Sequence, residues 1–345
     1  MTPDFSVIAD GLDVTGRFGG RKIEIEVVDA TGVESDSAEI SIFDPDAIVS
    51  PPRRGAMLAI ALGYRETGLI PQGLFKVDQV TFKGYPHTIR ISARSADNKK
   101  SMKERRTKDY TGKPLGEIAR EVAGRHGMGA RVAPDLASIK FPLLTGGDDS
   151  YIGQHEESDV AFLTRIAETV GGFFSVKGGH FTIARRGDGK SVSGAAGVVL
   201  ITPNVLIDRD AYEVSWKDKP VHGKVEASYF DRGKVARKPV IEGGGGGTGG
   251  GGTEDGIVYR FRHPFPSERI ARDAAKGKKR ELERAEGSAK FARWGDGTIR
   301  AEMDLVAAGI RGGVDGLWSI ARVTHRIDDR GFISRIECET KGASK

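Results

Sequence analysis

The sequence is poor in the residues and runs that define several familiar protein classes. Its only cysteine is Cys338, which excludes a disulfide framework or a thiolate zinc site within one chain. No apolar run approaches the roughly twenty residues that a bilayer-spanning helix needs, so we expect no membrane insertion. Residues 1–5 lack the basic and apolar regions of an export signal, and we therefore expect folding in the cytoplasm.

Recognisable catalytic motifs are also missing. No Gly-x-Ser-x-Gly elbow occurs, and His155-Glu156-Glu157 is not a His-Glu-x-x-His zinc motif because position 159 is aspartate. Six further histidines are scattered singly, a pattern typical of hydrogen-bonded structural residues: His87, His126, His180, His222, His263 and His325. We predict no catalytic residue, no cofactor-binding residue and no metal ligand, and therefore no enzyme.

Two glycine-containing segments invite a phosphate or metal interpretation. The tract Gly243–Gly252, broken only by Thr248, has no following Lys-Ser or Lys-Thr, so we interpret residues 242–253 as a flexible surface loop. Gly146-Gly147-Asp148-Asp149 has no companion carboxylate motif, and we interpret it as a solvated turn.

What the sequence does contain is strand-like alternation at both ends. Residues 22–27, 38–43, 57–62, 74–82 and 88–93 alternate apolar and polar side chains between turn residues. The pattern returns after residue 191, at 214–216, 225–230, 298–306, 318–325 and 332–338. The last two segments, joined by Asp328-Asp329-Arg330-Gly331, predict a hairpin in which Cys338 is buried beside Ile336.

The middle of the chain changes to a helical period. Pro114 suits a first helical position, and apolar residues recur from Leu115 to Val122 before Gly127. Ser158 or Asp159 can cap a second helix that ends at Gly171. Its predicted buried stripe is Phe162, Leu163, Ile166, Ala167 and Val170. A third, long helix is predicted at about 267–291, with Ser267 as its cap.

These patterns predict a mainly β protein with an α+β insert. The expected domains are a β-barrel at 1–108, a small α/β domain at 109–190 and a second β-barrel at 191–345.

The net charge of +5 permits contact with acidic partners but does not require nucleic acid. Basic clusters lie at 99–108 and 276–293. Neither has the interleaved aromatics that single-strand binders use, and Glu281, Glu283 and Glu286 offset the second. A solvated face or a protein contact is therefore favoured over a DNA site.

Several motifs, in the same order along the chain, resemble the phage late control gene D proteins. They are the Pro114-Leu115 helix with His126-Gly127, the Glu157-Ser158-Asp159 helix, the Gly178-Gly179-His180 hairpin, Tyr212–Pro220 and the His325–Cys338 hairpin. This family forms baseplate hubs of contractile tails and is related to the N-terminal region of type VI secretion spike proteins.

The resemblance implies two barrel domains like the tail tube subunit, and a homotrimer that joins a hexameric tail tube to a trimeric central spike. The implied partners are the chain itself, the tube protein, the spike protein and baseplate wedge proteins, with the tape-measure protein as a further candidate and DNA only as passing cargo. The implied location is the virion baseplate, after assembly in the host cytoplasm. A peptidoglycan-degrading tail component and, more remotely, a DNA-binding protein are the alternatives.

Overall fold

The computed structural model describes most of the 345-residue chain. The described ranges are 1–32, 36–97, 100–141, 151–185, 197–216, 224–231, 236–242, 258–262, 264–265, 267–284 and 287–340. Within them, no helix has both the length and the apolar content that crossing a membrane would require.

Strands dominate the described residues. The first strands are β1 (Pro3–Ala9), β2 (Leu12–Asp13), β3 (Ile23–Ala30), β4 (Ser37–Phe43), β5 (Met57–Tyr64), β6 (Gly68–Lys83), β7 (Thr88–Ser95), β8 (Arg105–Thr111), β9 (Gly129–Val132), β10 (Tyr151–Ser158), β11 (Phe173–Lys177) and β12 (His180–Ala184). The later strands are β13 (Val198–Ile201), β14 (Tyr212–Trp216), β15 (Lys224–Asp231), β16 (Ala236–Glu242), β17 (Val258–Arg260), β18 (Gly287–Trp294), β19 (Asp304–Ala307), β20 (Gly316–Asp328) and β21 (Gly331–Thr340).

The α-helices are α1 (Leu115–Arg125), α2 (Pro134–Ala137), α3 (Asp159–Thr169) and α4 (Glu268–Arg284). The predominance of strands confirms the predicted mainly β class. The chain divides into two compact units, of which unit 1 comprises 1–98, 189–215 and 288–339. Unit 2 comprises 99–188, 216–287 and 340–345. The division predicted from the sequence, at 1–108, 109–190 and 191–345, stays a prediction.

Unit 1 is built on one 13-stranded sheet with the main order β14-β18-β21-β20-β3-β4-β7-β6-β5-β1-β2. Strand β19 pairs with β20, and β13 extends the sheet from β19. The antiparallel pairing of β20 with β3, from Arg322↔Ala30 to Ile327↔Ile25, connects the early strands to the late ones. Two β regions far apart in sequence therefore form one continuous sheet.

The sheet of unit 1 encloses two separate apolar cores. The first collects the inward residues of β1 and β3–β7, including Ile25, Ile40 and Leu62. The second forms around Trp318 and Ile336, which β20 and β21 bury together with Cys338. Because successive side chains of a strand point to opposite faces of the sheet, these residues lie on the buried face, and polar neighbours such as Glu337 lie on the exposed face.

Unit 2 contains one core shared by helices and strands and a smaller second core. Helices α1 and α3 pack their apolar stripes with β11 and β12, and all five predicted residues of the α3 stripe are buried. Helix α4 packs Ala271 and Ala275 against Val225 and Ala227 of β15. Small alanine side chains allow this close contact between helix and strand.

Three expectations need correction. The helix predicted at about 267–291 ends at Arg284, and β18 begins at Gly287, where alternation buries Ala289 and Phe291. The strand predicted at 298–306 begins only at Asp304, because the preceding residues form turns in which Glu302 has a φ of 73°. Pro114 is the N-cap of α1 and not its first helical residue.

Candidate functional site

The most concentrated set of polar side chains surrounds the buried carboxylate of Asp159 in unit 2. Asp159 begins α3, and its fully buried carboxylate accepts hydrogen bonds from three side chains. The donors are Arg125 Nη1 at 3.0 Å, His126 Nε2 at 2.8 Å and Gln154 Nε2 at 2.8 Å. Three donors therefore satisfy a carboxylate that would otherwise be buried without hydrogen-bond partners.

Local sequence signals bring these residues together. Of the two caps that the sequence allowed, Ser158 and Asp159, the structure has Ser158, which accepts a hydrogen bond from the Ala161 amide at 3.2 Å. Asp159 therefore lies in the first turn. Helix α1 ends at Arg125, and His126 is its C-cap. The meeting of one helix start and one helix end therefore places a carboxylate beside two basic side chains.

Tyr110 extends this cluster through its hydroxyl group. Arg125 Nη2 donates a hydrogen bond to Tyr110 Oη, and the Tyr110 ring stacks on Phe162 with 5.2 Å between centroids. Burial raises the pKa of the Tyr110 phenol, so the hydroxyl stays protonated. The polar cluster is thus continuous with the apolar core of the insert.

Ser101, His126 and Asp159 line up in the order of a hydrolase triad. Ser101 Oγ lies 3.0 Å from His126 Nδ1, and the carboxylate lies on the opposite ring nitrogen. The His126 side chain is only 1% exposed, so a leaving group has no access to the imidazole. Arg125 already pairs with the carboxylate that would have to stabilise an imidazolium. The arrangement is suited to holding α1 against α3.

His325 is a second buried histidine, on β20 of unit 1, and its ring centroid lies 6.0 Å from that of Phe332. Its Nδ1 lies 2.9 Å from Ser334 Oγ and its Nε2 lies 3.1 Å from the Ile299 carbonyl oxygen. Burial lowers the pKa of His325 to about 4, so the ring is neutral near pH 7. A neutral ring can donate to the carbonyl and accept from the serine hydroxyl, which satisfies both nitrogens.

The basic cluster at 99–108 is partly neutralised by neighbouring carboxylates. Arg106 pairs with Glu104 at 3.1 Å, and Lys108 and Lys113 each lie 2.5 Å from a Glu121 carboxylate oxygen. Burial alone would raise the pKa of Glu121, but the two lysines together lower it to about 2. The cluster at 276–293 is divided between α4 and β18, and so is not one helix face.

Unit 1 exposes apolar side chains on the outer face of its sheet, at the edge formed by β13. Strand β13 pairs in parallel with β19, and the register aligns Leu200, Val306 and Leu317 in one row across three strands. Val198 is 64% exposed, Leu200 56% and Leu317 48%. We call Val198, Leu200, Val306 and Leu317 the outer apolar patch. A contiguous row of exposed apolar side chains is a candidate protein-contact surface.

The remaining sequence-level candidates are dispersed or undescribed. The tract 243–252, the turn 146–149, His222 and His263 lie outside the described residues. His155 and His180 lie on separate elements, and the described part of the chain has no group of three or more potential metal ligands. The sequence did not reveal the Asp159 cluster, because Arg125 and His126 lie roughly thirty residues before Gln154 and Asp159. The signal that the sequence did contain was a charged residue at the start of a buried helix.

Comparison with known proteins identifies relatives along the whole chain. A family model described as "Phage tail baseplate hub (GPD)" matches residues 75–331. The sequence is 32% identical over 372 residues to the "Probable baseplate hub protein" of Escherichia phage P2, covering 99% of this chain and 94% of the relative.

Solved structures show the same fold at low identity. The tail protein from Neisseria meningitidis MC58 gives a TM-score of 0.70 at 10% identity, covering 99% of this chain and 98% of that one. An E. coli component of the type VI secretion system, described as similar to the T4 tail proteins gp27 and gp5, gives a TM-score of 0.52 at 11% identity. The alignment covers 94% of this chain and 74% of that one.

Proposed function

The chain belongs to the phage tail baseplate hub (GPD) family, and we propose that it acts there as a homotrimeric adaptor between the hexameric tail tube and the trimeric central spike. The family resemblance drawn from the sequence is confirmed, and the protein is a hub component of a tail baseplate. The trimer, its symmetry role and its particular partners are the proposed part.

The observation that carries the proposal is the presence of two separate β cores in unit 1 of each chain. Three copies of such a chain present six β cores, which matches the number of subunits in a hexameric ring. The same three copies keep a true three-fold axis for a trimeric spike. A ring of this kind closes by heterologous contacts, so each chain needs two different and complementary surfaces.

The outer apolar patch is our candidate for one of those surfaces. It lies beside β13, whose outer edge has no strand partner among the described residues. Exposed edges with apolar faces aggregate unless another chain or element covers them. We propose that a neighbouring hub subunit covers this edge. Tube, spike and wedge proteins and the tape-measure protein would contact other surfaces, and DNA would pass without specific binding.

Sedimentation velocity of the full chain over a range of concentrations, alone and with the spike protein, tests this proposal. We expect a trimer, either alone or with the spike, and expect Leu200→Asp and Leu317→Asp to weaken it at least tenfold. Leu74→Asp is the matched control, since Leu74 is 50% exposed but lies on β6, outside the patch. A chain that stays monomeric and binds neither spike nor tube protein contradicts the adaptor role.

We propose no catalytic role for this chain. The relatives are described as probable baseplate hub proteins, and the Ser101–His126–Asp159 arrangement is closed to substrate. Incubation with purified cell walls should therefore leave their turbidity unchanged. Clearing by wild-type protein that Ser101→Ala abolishes would support the alternative of a peptidoglycan-degrading component.

A further inference from the structure

A cavity of about 600 Å³ lies at one end of the first β core of unit 1. Its walls include the end of β1, the start of β5 and residues 48–53, which lie in the segment that links β4 to β5. Its apolar lining includes Val7, Ile40, Ile42, Leu58 and Ile91. Protein interiors leave few voids larger than a water molecule, and ligand sites occupy roughly 300–1,000 Å³. The space is therefore of the size of a ligand site.

Exposed apolar residues continue the lining to the surface. Leu12 is 65% exposed and Ile48 is 71% exposed, and both line the cavity. Pro51 and Pro52 form part of the same wall, and their fixed φ angles restrict the segment that carries Ile48. A long apolar chain entering the cavity would remove Leu12 and Ile48 from water.

Three arginines line the same cavity, and they differ in their partners. Arg21 Nη1 lies 2.7 Å from Asp44 and also binds Asp46, while Arg53 Nη2 lies 3.0 Å from Asp10. Arg17 is exposed and has no carboxylate partner in the described ranges. The cavity thus combines aliphatic walls with one arginine, Arg17, that is not paired with a carboxylate of the described residues, while Arg21 is paired with two.

We propose that this cavity binds a single acyl chain that carries an anionic head group. The aliphatic walls take the chain, and the Arg17 guanidinium pairs with a carboxylate or phosphate head. Charge complementarity selects the anionic amphiphile over a neutral one of equal length. Free fatty acids offer this chemistry directly, and anionic membrane phospholipids offer it through one of their two acyl chains.

Displacement of a fluorescent fatty-acid probe from the purified full chain by dodecanoate and by dodecanol tests the assignment. We expect saturable binding of dodecanoate that Arg17→Gln weakens about tenfold, equivalent to about 1.4 kcal/mol, with dodecanol binding unchanged. Ile48→Ser should weaken both ligands. Arg54→Gln is the matched control, because Arg54 is exposed close by in sequence but does not line the cavity.

Vesicles of phosphatidylglycerol and of phosphatidylcholine separate the two sources of ligand. Arg17-dependent flotation with the anionic vesicles alone would assign a membrane lipid, and dodecanoate binding without flotation would assign a free amphiphile. Circular dichroism establishes that the variants are folded. The proposal is overturned if neither ligand binds saturably, if Arg17→Gln and Arg54→Gln have equal effects, or if dodecanol binds as tightly as dodecanoate.

Discussion

Replacing Asp159 with alanine should destabilise unit 2 more than any surface substitution. The change removes the acceptor for Arg125, His126 and Gln154, which lie within 3.0 Å of the carboxylate oxygens. Removing one member of a buried charge pair typically destabilises by about 3–5 kcal/mol, because the remaining charge stays buried. Asp159→Asn keeps the shape and one acceptor, but its amide group faces donors. We expect a loss of about 2–3 kcal/mol for the asparagine variant.

Urea unfolding combined with hydrogen exchange measures this loss. Amides of α1 and α3 should lose protection together in Asp159→Ala, because the carboxylate connects the two helices. Glu117→Ala is the control: this exposed residue of α1 should change stability by less than about 0.5 kcal/mol. If Asp159→Ala lowers the free energy of unfolding by less than about 1 kcal/mol, or by no more than Glu117→Ala does, the cluster does not hold α1 and α3 together.

Two buried titratable side chains and two helical glycines give further testable effects. The pKa of His325 is lowered to about 4 by burial, so protonation of the unfolded chain should remove up to about 3 kcal/mol of stability as pH falls from 6.5 to 4. In urea titrations, His325→Gln should flatten the dependence of the free energy of unfolding on pH, whereas His155→Gln, at an exposed site, should retain it. Equal pH dependence in the two variants would contradict the lowered pKa of His325. Burial raises the pKa of Cys338, so a thiol reagent should label the protein only in urea, and rapid native labelling would refute the buried thiol. Gly124→Ala should stabilise α1 by up to about 1 kcal/mol, because nothing lies within 4 Å of the added Cβ. Gly277→Ala should destabilise α4, because the added Cβ would lie 2.9 Å from Gly171 Cα. Thermal unfolding measures both glycine variants, and a rise in Tm for Gly277→Ala as well as for Gly124→Ala would contradict this steric argument.

Local signals predicted the elements whose ends are fixed by single residues. The Ser158 cap, the α3 stripe and the stop at Gly171, whose φ is 71°, all follow from the residue types themselves. The last hairpin was likewise predicted from alternation and its turn residues. It is closed by Asp329 and Arg330, between β20 and β21.

Features set by contacts distant in sequence were not predictable in this way. Ile299, Ala301 and Met303 alternate as a strand would and are buried, yet the backbone around Glu302 turns. The helical period of α4 continued in sequence past Arg284, but pairing of β18 with β21 imposes a strand there. The pairing of β3 with β20, and the cluster at Asp159, likewise depend on how the chain folds back.

The stoichiometry of hub complexes distinguishes a trimeric adaptor from other assemblies. Native mass spectrometry of the full chain, mixed separately with the spike protein and with the tube protein, would measure it. A trimeric adaptor should give three hub chains with three spike chains, and three hub chains with six tube chains, each hub chain contributing 37.1 kDa. Complexes with one hub chain, or with six hub chains on a tube hexamer, would contradict a trimer that converts six-fold to three-fold symmetry.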